Sequence, residues 1–415
     1  MFNNEQGGGL FFNNSNNYPQ QPPEFNNVGE FNNNSVITIA GNGQFVLNNT
    51  GVFNQIGHFD NQSRDFILNN DGTFNNGLMG FGSGSSIRFY GNAKLYNNGV
   101  FNNSNGLEGD NSPSSVIVNA GVLNSAERGA IRNFGSVINT GILNVADNME
   151  SIRFSNDATG IVNNARGWGG ANNGVVVHDF INQGIINNSI GAHFTANAIS
   201  AINNGVINNN GSFYSNGLEN SGVINNSGWM YSNRVNNSGV INNDGTFSAQ
   251  NLVSSGLVTG IGYFNTATLV ITETGTLAPG NMLGQGMTII GNLDMNGTLA
   301  VNVFSGRLDV FGNVILGTNS ILDVSFYDIS YLTLGQTFDL VSAYDITGGF
   351  GDFYYDTLFD NNLALQWEVL EGYGMGDLLR VSVVSSVPVP AAVWLFMSGL
   401  AGLIGVSRRR KPVLH

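Results

Sequence analysis

Gly205-Val-Ile-Asn-Asn209, Gly222-Val-Ile-Asn-Asn226 and Gly239-Val-Ile-Asn-Asn243 are identical segments that follow one another at intervals of 17 residues. Related segments, with Gly, two mostly apolar residues and Asn, recur less regularly through the first two thirds of the chain. Their short runs of β-branched or aromatic residues favour strands and are too short for helices. Because a unit of about 20 residues cannot bury its own apolar face, copies must stack on one another. The repeat therefore predicts an all-β fold, a parallel β-solenoid, over residues 29–270.

A second strand-like segment keeps the same period, as in Gly211-Ser-Phe-Tyr-Ser-Asn216 and Gly228-Trp-Met-Tyr-Ser-Asn233. Asn at the corners between segments is expected to adopt left-handed backbone and to bond its amide to the Asn one coil away, at ~4.8 Å. We expect Val223 and Val240 to stack in one apolar column, within a rod of about twelve coils and roughly 55–60 Å. The alternative is a disordered low-complexity tract. It is disfavoured because apolar residues in such a tract would not recur at regular intervals.

The composition limits the possible functions. Only 10% of the 415 residues are charged, against about 25% in an average soluble domain, and 41% are hydrophobic. The formal net charge is -14, and four of the 14 basic residues are Arg408, Arg409, Arg410 and Lys411, so the rest of the chain is strongly acidic. An acidic body is not expected to bind nucleic acid or anionic lipid. The absence of Cys excludes disulfides, zinc-thiolate sites and thiol nucleophiles.

The regions on either side of the repeats differ from them. Residues 1–28 form an atypical N-terminal segment with no basic region followed by an apolar stretch, so no secretory signal peptide is visible. Either the chain is not exported, or its signal peptide lies upstream of Met1. From about Ile271 the Asn pairs nearly vanish, and residues 271–384 are expected to form a β-rich cap on the solenoid.

Part of the capping region resembles known proteins. Gly275-Thr-Leu-Ala-Pro-Gly280, Met287-Thr-Ile-Ile-Gly-Asn-Leu293 and Leu308-Asp-Val310 resemble the closing segment of autotransporter-type and filamentous-haemagglutinin-like β-helix passengers. The resemblance implies a β-helix body whose last coils cover the exposed edge of the stack.

Residues 385–415 combine a Pro motif, an apolar segment and a basic end. Val387-Pro-Val-Pro-Ala391 leads into the mostly apolar run 391–406, which is followed by Arg408-Arg-Arg-Lys411. A helix over this run would span about 24 Å, near the ~30 Å of a bilayer core, and the basic cluster would remain cytoplasmic. The sequence therefore predicts one C-terminal transmembrane helix, with the acidic body on the opposite side of the membrane.

This arrangement resembles the VPLPA-CTERM variant of the PEP-CTERM sorting signals. The motif residues are Val387, Pro388, Val389, Pro390 and Ala391, with Val389 where the variant has Leu and the parent class has Glu. The resemblance implies a Gram-negative bacterium and an exosortase, a membrane cysteine protease or transpeptidase, that reads the signal. It also implies a chain that is first anchored in the membrane and then reaches the cell surface or the extracellular space. A plain stop-transfer anchor is the alternative.

No constellation of catalytic or metal-binding residues is visible in the sequence. His58, His178, His193 and His415 are not at metal-ligand spacings, and we expect them to be solvated loop residues. Gly348-Gly-Phe-Gly-Asp352 lacks the spacing of a calcium-binding nonapeptide, because its Asp comes one residue early. We therefore predict no catalytic residue, no metal and no cofactor.

Together these observations predict a non-enzymatic structural or adhesive protein of the cell surface or extracellular matrix. Its expected partners are an exosortase-type enzyme, the membrane, and exopolysaccharide or other cells. Two alternatives stay open: a polysaccharide lyase or hydrolase on a β-helix scaffold, and a passive spacer that lifts another factor from the membrane. Acidic residues that cluster with Arg or Lys on one face of neighbouring coils would favour the enzyme.

Overall fold

The chain folds as an all-β parallel β-solenoid. The computed structural model describes residues 1–4, 8–13, 22–41, 43–77, 86–126, 128–165, 174–281, 283–326, 332–355, 363–374 and 376–385. No helix occurs in these ranges, and equivalent strands pair in register from coil to coil. The predicted solenoid is confirmed, whereas the predicted C-terminal transmembrane helix lies outside the described residues.

The N-terminal coils are built from three short strands each, in which inward and outward side chains alternate. These strands are β1 (Phe2–Asn4), β2 (Gly9–Asn13), β3 (Glu24–Asn27), β4 (Glu30–Asn33), β5 (Val36–Ala40), β6 (Gln44–Asn49), β7 (Val52–Gln55), β8 (His58–Asn61), β9 (Asp65–Asn70), β10 (Thr73–Asn76), β11 (Ile87–Phe89), β12 (Lys94–Asn97), β13 (Val100–Asn103), β14 (Leu107–Gly109), β15 (Val116–Asn119) and β16 (Val122–Ser125).

In most later coils two of the three strands join into one long strand of eight or nine residues. The strands of this part are β17 (Ile131–Asn139), β18 (Ile142–Val145), β19 (Met149–Asn156), β20 (Ile161–Asn164), β21 (Gly174–Asn182), β22 (Ile185–Asn188), β23 (His193–Ala196), β24 (Ala201–Asn203), β25 (Val206–Asn209), β26 (Ser212–Asn220), β27 (Val223–Asn226), β28 (Trp229–Asn237), β29 (Val240–Asn243), β30 (Thr246–Ser254), β31 (Leu257–Gly260), β32 (Tyr263–Ile271), β33 (Thr276–Pro279), β34 (Thr288–Met295) and β35 (Thr298–Asn302). The last strands are β36 (Leu308–Val310), β37 (Asn313–Leu316), β38 (Ile321–Ser325), β39 (Thr337–Ala343), β40 (Asp345–Gly348), β41 (Asp352–Tyr355), β42 (Leu363–Tyr373) and β43 (Gly376–Ser385).

The strands form three faces along the stack. Face 1 is a 17-stranded sheet of β1, β4, β7, β10, β13, β16, β18, β20, β22, β25, β27, β29, β31, β33, β35, β38 and β41. Face 2 contains β2, β5, β8, β11, β14 and the first halves of the long strands, and face 3 contains β3, β6, β9, β12, β15 and the second halves. At ~4.8 Å per strand, face 1 is roughly 75 Å long. The rod is longer than expected because the coils continue beyond residue 270.

The repeated Gly marks the corner where the strands of face 1 from β4 to β35 begin. A Cβ added at Gly222 would overlap the carbonyl oxygen of Gly205, and the same overlap recurs between Gly239 and Gly222. The Gly205 carbonyl also accepts a hydrogen bond from Val223 N at 2.8 Å. Since the backbones of successive coils approach too closely here for a side chain, the Gly spacing equals the length of each coil.

Apolar columns form the core, because inward side chains occupy the same position in successive coils. On face 1, Phe53, Phe74 and Phe101 stack with ring centroids 4.6 and 4.8 Å apart. Later coils place Ile at this position, as at Ile224 and Ile241, which are both fully buried. The columns are continuous, so each coil buries the apolar surface of its neighbours.

Two details differ from the sequence predictions. Val223 and Val240 stack in register, but they lie on the outside of face 1 and are half-buried, because the adjacent Ile takes the inward position. The repeated Asn residues lie in strands rather than at left-handed corners. Among the described residues other than Gly, only Asn111 and Asn133 have positive φ.

An unbroken ladder of inward Asn side chains runs along the end of face 3, which confirms the predicted coil-to-coil amide bonds. Each Nδ2 donates to Oδ1 in the next coil at 2.6 to 2.8 Å. Ser254 Oγ accepts the last bond, at 2.9 Å, and donates to the Gly256 carbonyl. The members are Asn27, Asn49, Asn70, Asn97, Asn119, Asn139, Asn156, Asn182, Asn203, Asn220, Asn237 and Ser254.

The end of this ladder explains the change of composition near residue 271. Beyond Ser254 the inward position is taken by Ile271, Met295 and Leu316, which follow it in register. Since the hydroxyl of Ser254 donates to the Gly256 carbonyl, apolar residues can follow without leaving an amide unpaired. The coils therefore continue past residue 271 without the Asn pairs.

A second interior ladder lies at the end of face 1 and is interrupted where other residues occupy the column. Asn209 Nδ2 donates to Asn226 Oδ1, and Asn226 Nδ2 to Asn243 Oδ1, each at 2.7 Å. Asn164 Oδ1 is buried without a partner, because Val145 precedes it in register. An Asn oxygen is thus left without a donor where an apolar residue takes the preceding place in the column.

An antiparallel hairpin covers the C-terminal edge of the stack. β43 pairs antiparallel with β39 on one side and with β42 on the other. Gly372 and Gly374, both with positive φ, lie where β42 turns back. The Asp377 carboxylate accepts hydrogen bonds from Gly372 N and Ile346 N, each at 3.0 Å. Asp377 therefore joins the hairpin turn to β40.

Candidate functional site

An open groove of about 310 Å³ lies along face 3 in the three coils of 17 residues. Asn236 Nδ2 donates to Glu219 Oε1 at 2.8 Å, and Ser221 Oγ donates to Asn204 Oδ1 at 2.7 Å. We call this feature the polar groove, and its lining residues are Asn204, Glu219, Asn220, Ser221, Asn236, Asn237, Ser238, Val253 and Ser255.

The constant coil length creates the polar groove. Glu219, Asn236 and Val253 lie beside one another in register on the outside of face 3. Ser221, Ser238 and Ser255 follow at the same 17-residue interval at the corner before face 1. The lining offers amides, hydroxyls and one carboxylate, and it contains no cationic side chain. Such groups exchange hydrogen bonds with hydroxyl-rich ligands and do not attract phosphates.

An aromatic patch, formed by Tyr214, Trp229 and Tyr231, lies on face 2 of the same coils. The rings of Trp229 and Tyr231 are 5.9 Å apart, those of Tyr214 and Tyr231 are 5.1 Å apart, and both pairs are inclined by only 11°. Trp229 is 42% exposed, and the Tyr231 hydroxyl donates to Asn233 Oδ1 at 2.6 Å. The nearly parallel rings combine exposed apolar surface with a fixed polar group, as in sites that bind sugar rings.

A charged cluster lies on face 2 nearer the N-terminus. Arg88 is in register with Glu108, and Glu108 with Arg132. Arg88 Nη1 donates to the Tyr90 hydroxyl at 3.3 Å, and Arg88 Nε lies 3.5 Å from Glu108 Oε2. The Tyr90 hydroxyl and the Glu108 carboxylate together raise the pKa of Arg88. These side chains remain substantially exposed, so the cluster is a surface feature.

His58, His178 and His193 are exposed, as expected, but they lie on strands, so the prediction that they belong to loops was wrong; His415 lies outside the described residues. His58, His178 and His193 occupy exposed positions in β8, β21 and β23. A strand turns alternate residues outward, and apolar neighbours fill the inward positions. Asp352 opens β41 and is also exposed. In the described ranges, no three His, Cys, Asp or Glu side chains come together as a possible metal site.

The predicted sorting motif, residues 387–391, and the basic cluster, residues 408–411, lie outside the described residues. Over the part of the chain that the structure describes, no helix has the length and apolar character needed to cross a membrane.

No protein-family model and no curated protein matches the chain.

The polar groove and the aromatic patch were not recognised in the sequence. The available signal was the 17-residue interval, which aligns Glu219 with Asn236 and Tyr214 with Tyr231. The interval alone does not locate these surfaces, because it does not show which side chains face outward.

Proposed function

We propose that this protein is an exported, non-enzymatic structural or adhesive component of the cell surface or extracellular matrix that binds neutral polysaccharide. One observation carries the proposal: β26 and β28 each present an aromatic residue in the first half and a groove residue in the second half. These residues are Tyr214 and Glu219 on β26, and Tyr231 and Asn236 on β28. Two surfaces suited to sugars are therefore held by the same rigid strands.

The chemistry of both surfaces supports a sugar polymer as the ligand. A sugar ring packs its C–H groups on an aromatic face, and its hydroxyls exchange hydrogen bonds with amides, hydroxyls and carboxylates. Because successive coils lie ~4.8 Å apart, a polymer lying along the stack meets Glu219 and then Asn236, and passes a Ser at the corner of each of three coils. The net charge of -14 disfavours an anionic polymer.

The proposed location rests on the C-terminal sequence. Pro388 and Pro390 precede the apolar run 391–406, and the basic cluster at 408–411 follows it. This order supports initial anchoring in the membrane and transfer to the surface by an exosortase-type enzyme of a Gram-negative bacterium.

Affinity electrophoresis of the full-length chain in gels containing β-glucan, galactomannan or dextran tests the binding proposal. Wild type should be retarded by at least one neutral polymer, and Trp229→Ala should weaken that retardation at least about fivefold. Tyr263→Ala is the matched control, because Tyr263 is 54% exposed on face 2 two coils away and should leave binding unchanged. The proposal is contradicted if wild type is not retarded by any neutral polymer. It is also contradicted if Trp229→Ala and Tyr263→Ala lose retardation equally.

A polysaccharide lyase or hydrolase is the second candidate, favoured by the charged cluster of Arg88, Glu108 and Arg132. Arg153 and Asp179 form a further exposed pair 3.7 Å apart on face 3. A catalytic Glu108 would release reducing ends from a bound polymer, and Glu108→Gln would abolish that release. Wild type that releases no reducing ends excludes this candidate for the polymer tested.

A further inference from the structure

Face 1 carries no charge over most of its length. From β7 to β35 its strands contain no Asp, Glu, Lys or Arg, although the chain has 28 acidic and 14 basic residues. Two outward columns cover this surface. The first strand position holds Val, Ile, Leu or Thr, and the third holds mainly Asn, as Val206 and Asn208 do in β25.

The outward Asn column is itself a ladder, opposite in direction to the interior ladders. In each coil Nδ2 donates to Oδ1 of the preceding coil at 2.6 to 2.9 Å. Because these bonds use a donor and an acceptor of each amide, fewer remain for water or for sugar hydroxyls. The members are Asn3, Asn32, Asn54, Asn75, Asn102, Asn124, Asn144, Asn163, Asn187, Asn208 and Asn225.

The apolar column beside this ladder is partly open to solvent. Val52, Ile142 and Ile185 are 37%, 37% and 38% exposed. The uncharged part of face 1 measures about 58 Å by 13 Å, or roughly 750 Å². A standard stable interface buries about 800 Å² on each partner. The surface is therefore about as large as one side of a standard stable interface.

We propose that two copies of this chain associate face 1 to face 1. A second copy brings an identical uncharged surface, so that neither partner buries an unpaired charge when the two faces meet. Depletion of charge is also typical of the buried centre of an interface. β22 is the middle strand of the uncharged region. A twofold axis that lies between the two faces and runs parallel to β22 places Ile185 opposite Ile185 of the second copy.

Sedimentation velocity of the full-length chain in a mild neutral detergent tests the association. Wild type should be dimeric, and Val206→Lys with Val240→Lys should raise the dissociation constant at least about tenfold, because each Lys places a charge in the apolar contact. The control is Ser212→Lys with Thr246→Lys, which adds the same charges to face 2 of the same coils and should remain dimeric. Monomeric wild type at about 100 µM, or equal association of both variants, overturns the proposal.

Disulfide capture provides a second test that does not depend on the stability of the Lys variants. The chain has no Cys, so Ile185→Cys introduces a single thiol at the proposed axis. Mild oxidation should give a covalent dimer of Ile185→Cys, and little of His193→Cys, which places its thiol on face 2 of the same coil. Equal yields from both variants would show random collision. Association through any other part of the chain would likewise leave Ile185→Cys without preferential capture.

Discussion

Asn226 Nδ2 donates a hydrogen bond to Asn243 Oδ1 at 2.7 Å, across one coil of 17 residues. Both side chains are buried, and Asn226 Oδ1 accepts an equivalent bond from Asn209. The Asn226 amide therefore depends on an Asn in the coils on both sides. An Asn every 17 residues therefore meets its partner in the next coil. A single substitution in the interior ladder leaves a neighbouring amide without its partner.

Asn226→Leu should destabilise the solenoid far more than Asn225→Leu. Leu at position 226 leaves Asn243 Oδ1 buried without a donor and should lower the free energy of unfolding by about 2–4 kcal/mol. Asn225 lies on the half-buried outside and donates to Asn208 at 2.9 Å, so its loss should cost less than about 1 kcal/mol. Urea unfolding of the two variants measures the difference. Equal midpoints would show that the interior ladder contributes nothing beyond its exterior counterpart.

Gly222→Ala should be poorly tolerated, whereas Gly349→Ala should be nearly neutral. The new Cβ at position 222 overlaps the Gly205 carbonyl and should cost about 2–3 kcal/mol as successive coils are forced apart. A Cβ at position 349 would meet only the end of the Trp367 ring, at 3.4 Å, so Ala there should change stability by less than about 0.5 kcal/mol. Thermal melting distinguishes the two. A neutral Gly222→Ala would contradict the close-contact explanation of the Gly period.

Asp377 should make the C-terminal hairpin sensitive to acid. Hydrogen bonds from Gly372 N and Ile346 N lower the pKa of Asp377 below its ordinary value. Its contribution to stability is therefore present above the unfolded pKa of about 3.9 and is lost as the pH falls through the lower folded value. Asp377→Asn should loosen the hairpin already at pH 7, where wild type is protected.

Hydrogen exchange of the β42 and β43 amides, corrected for intrinsic rates, measures this effect. Asp339→Asn is the control, because Asp339 pairs with Arg380 at 2.7 Å at a partly exposed position of the same sheet. Asp339→Asn should raise the exchange rates of these amides less than Asp377→Asn does. Equal protection of Asp377→Asn and wild type at pH 7 would refute the anchoring role.

The coil was predictable from the sequence, but the orientation of its side chains was not. The Gly spacing reveals the coil because backbone contact at Gly222 permits no side chain. In Gly-Val-Ile-Asn-Asn, however, both Val223 and Ile224 are apolar, and a shift of one residue exchanges the inside and outside of a strand. The sequence therefore predicted the Val column without showing that it faces outward. The coils beyond Ile271 were also harder to recognise, because apolar residues replace the Asn ladder there.

The candidate site was less predictable than the fold. Glu219 and Asn236 have no local motif, and their proximity depends on the register of β26 with β28. The aromatic patch depends on that register too, because Tyr214 and Tyr231 meet only across the coil boundary. Surfaces made from one side chain per coil leave no compact pattern in the sequence.

Pro388→Ala with Pro390→Ala should block sorting if an exosortase reads the motif. In a host that carries such an enzyme and with a working signal peptide, wild type should reach the surface with a shortened C-terminus. The double variant should remain full length in the inner membrane. Intact-mass measurement of both proteins decides the question, since a plain anchor predicts the same C-terminal mass and membrane fraction for both. Deletion of residues 408–411 should instead weaken orientation and membrane retention.

The central claim is that the solenoid binds a neutral polysaccharide without cleaving it. Light scattering coupled to gel filtration tests this most directly, because it measures the molar mass of the polymer before, during and after incubation with the full-length protein. We predict a complex heavier than the polymer alone, and a polymer of unchanged mass once the protein has been removed. Absence of a complex, or a polymer mass that falls with time in the presence of the protein, would contradict the claim.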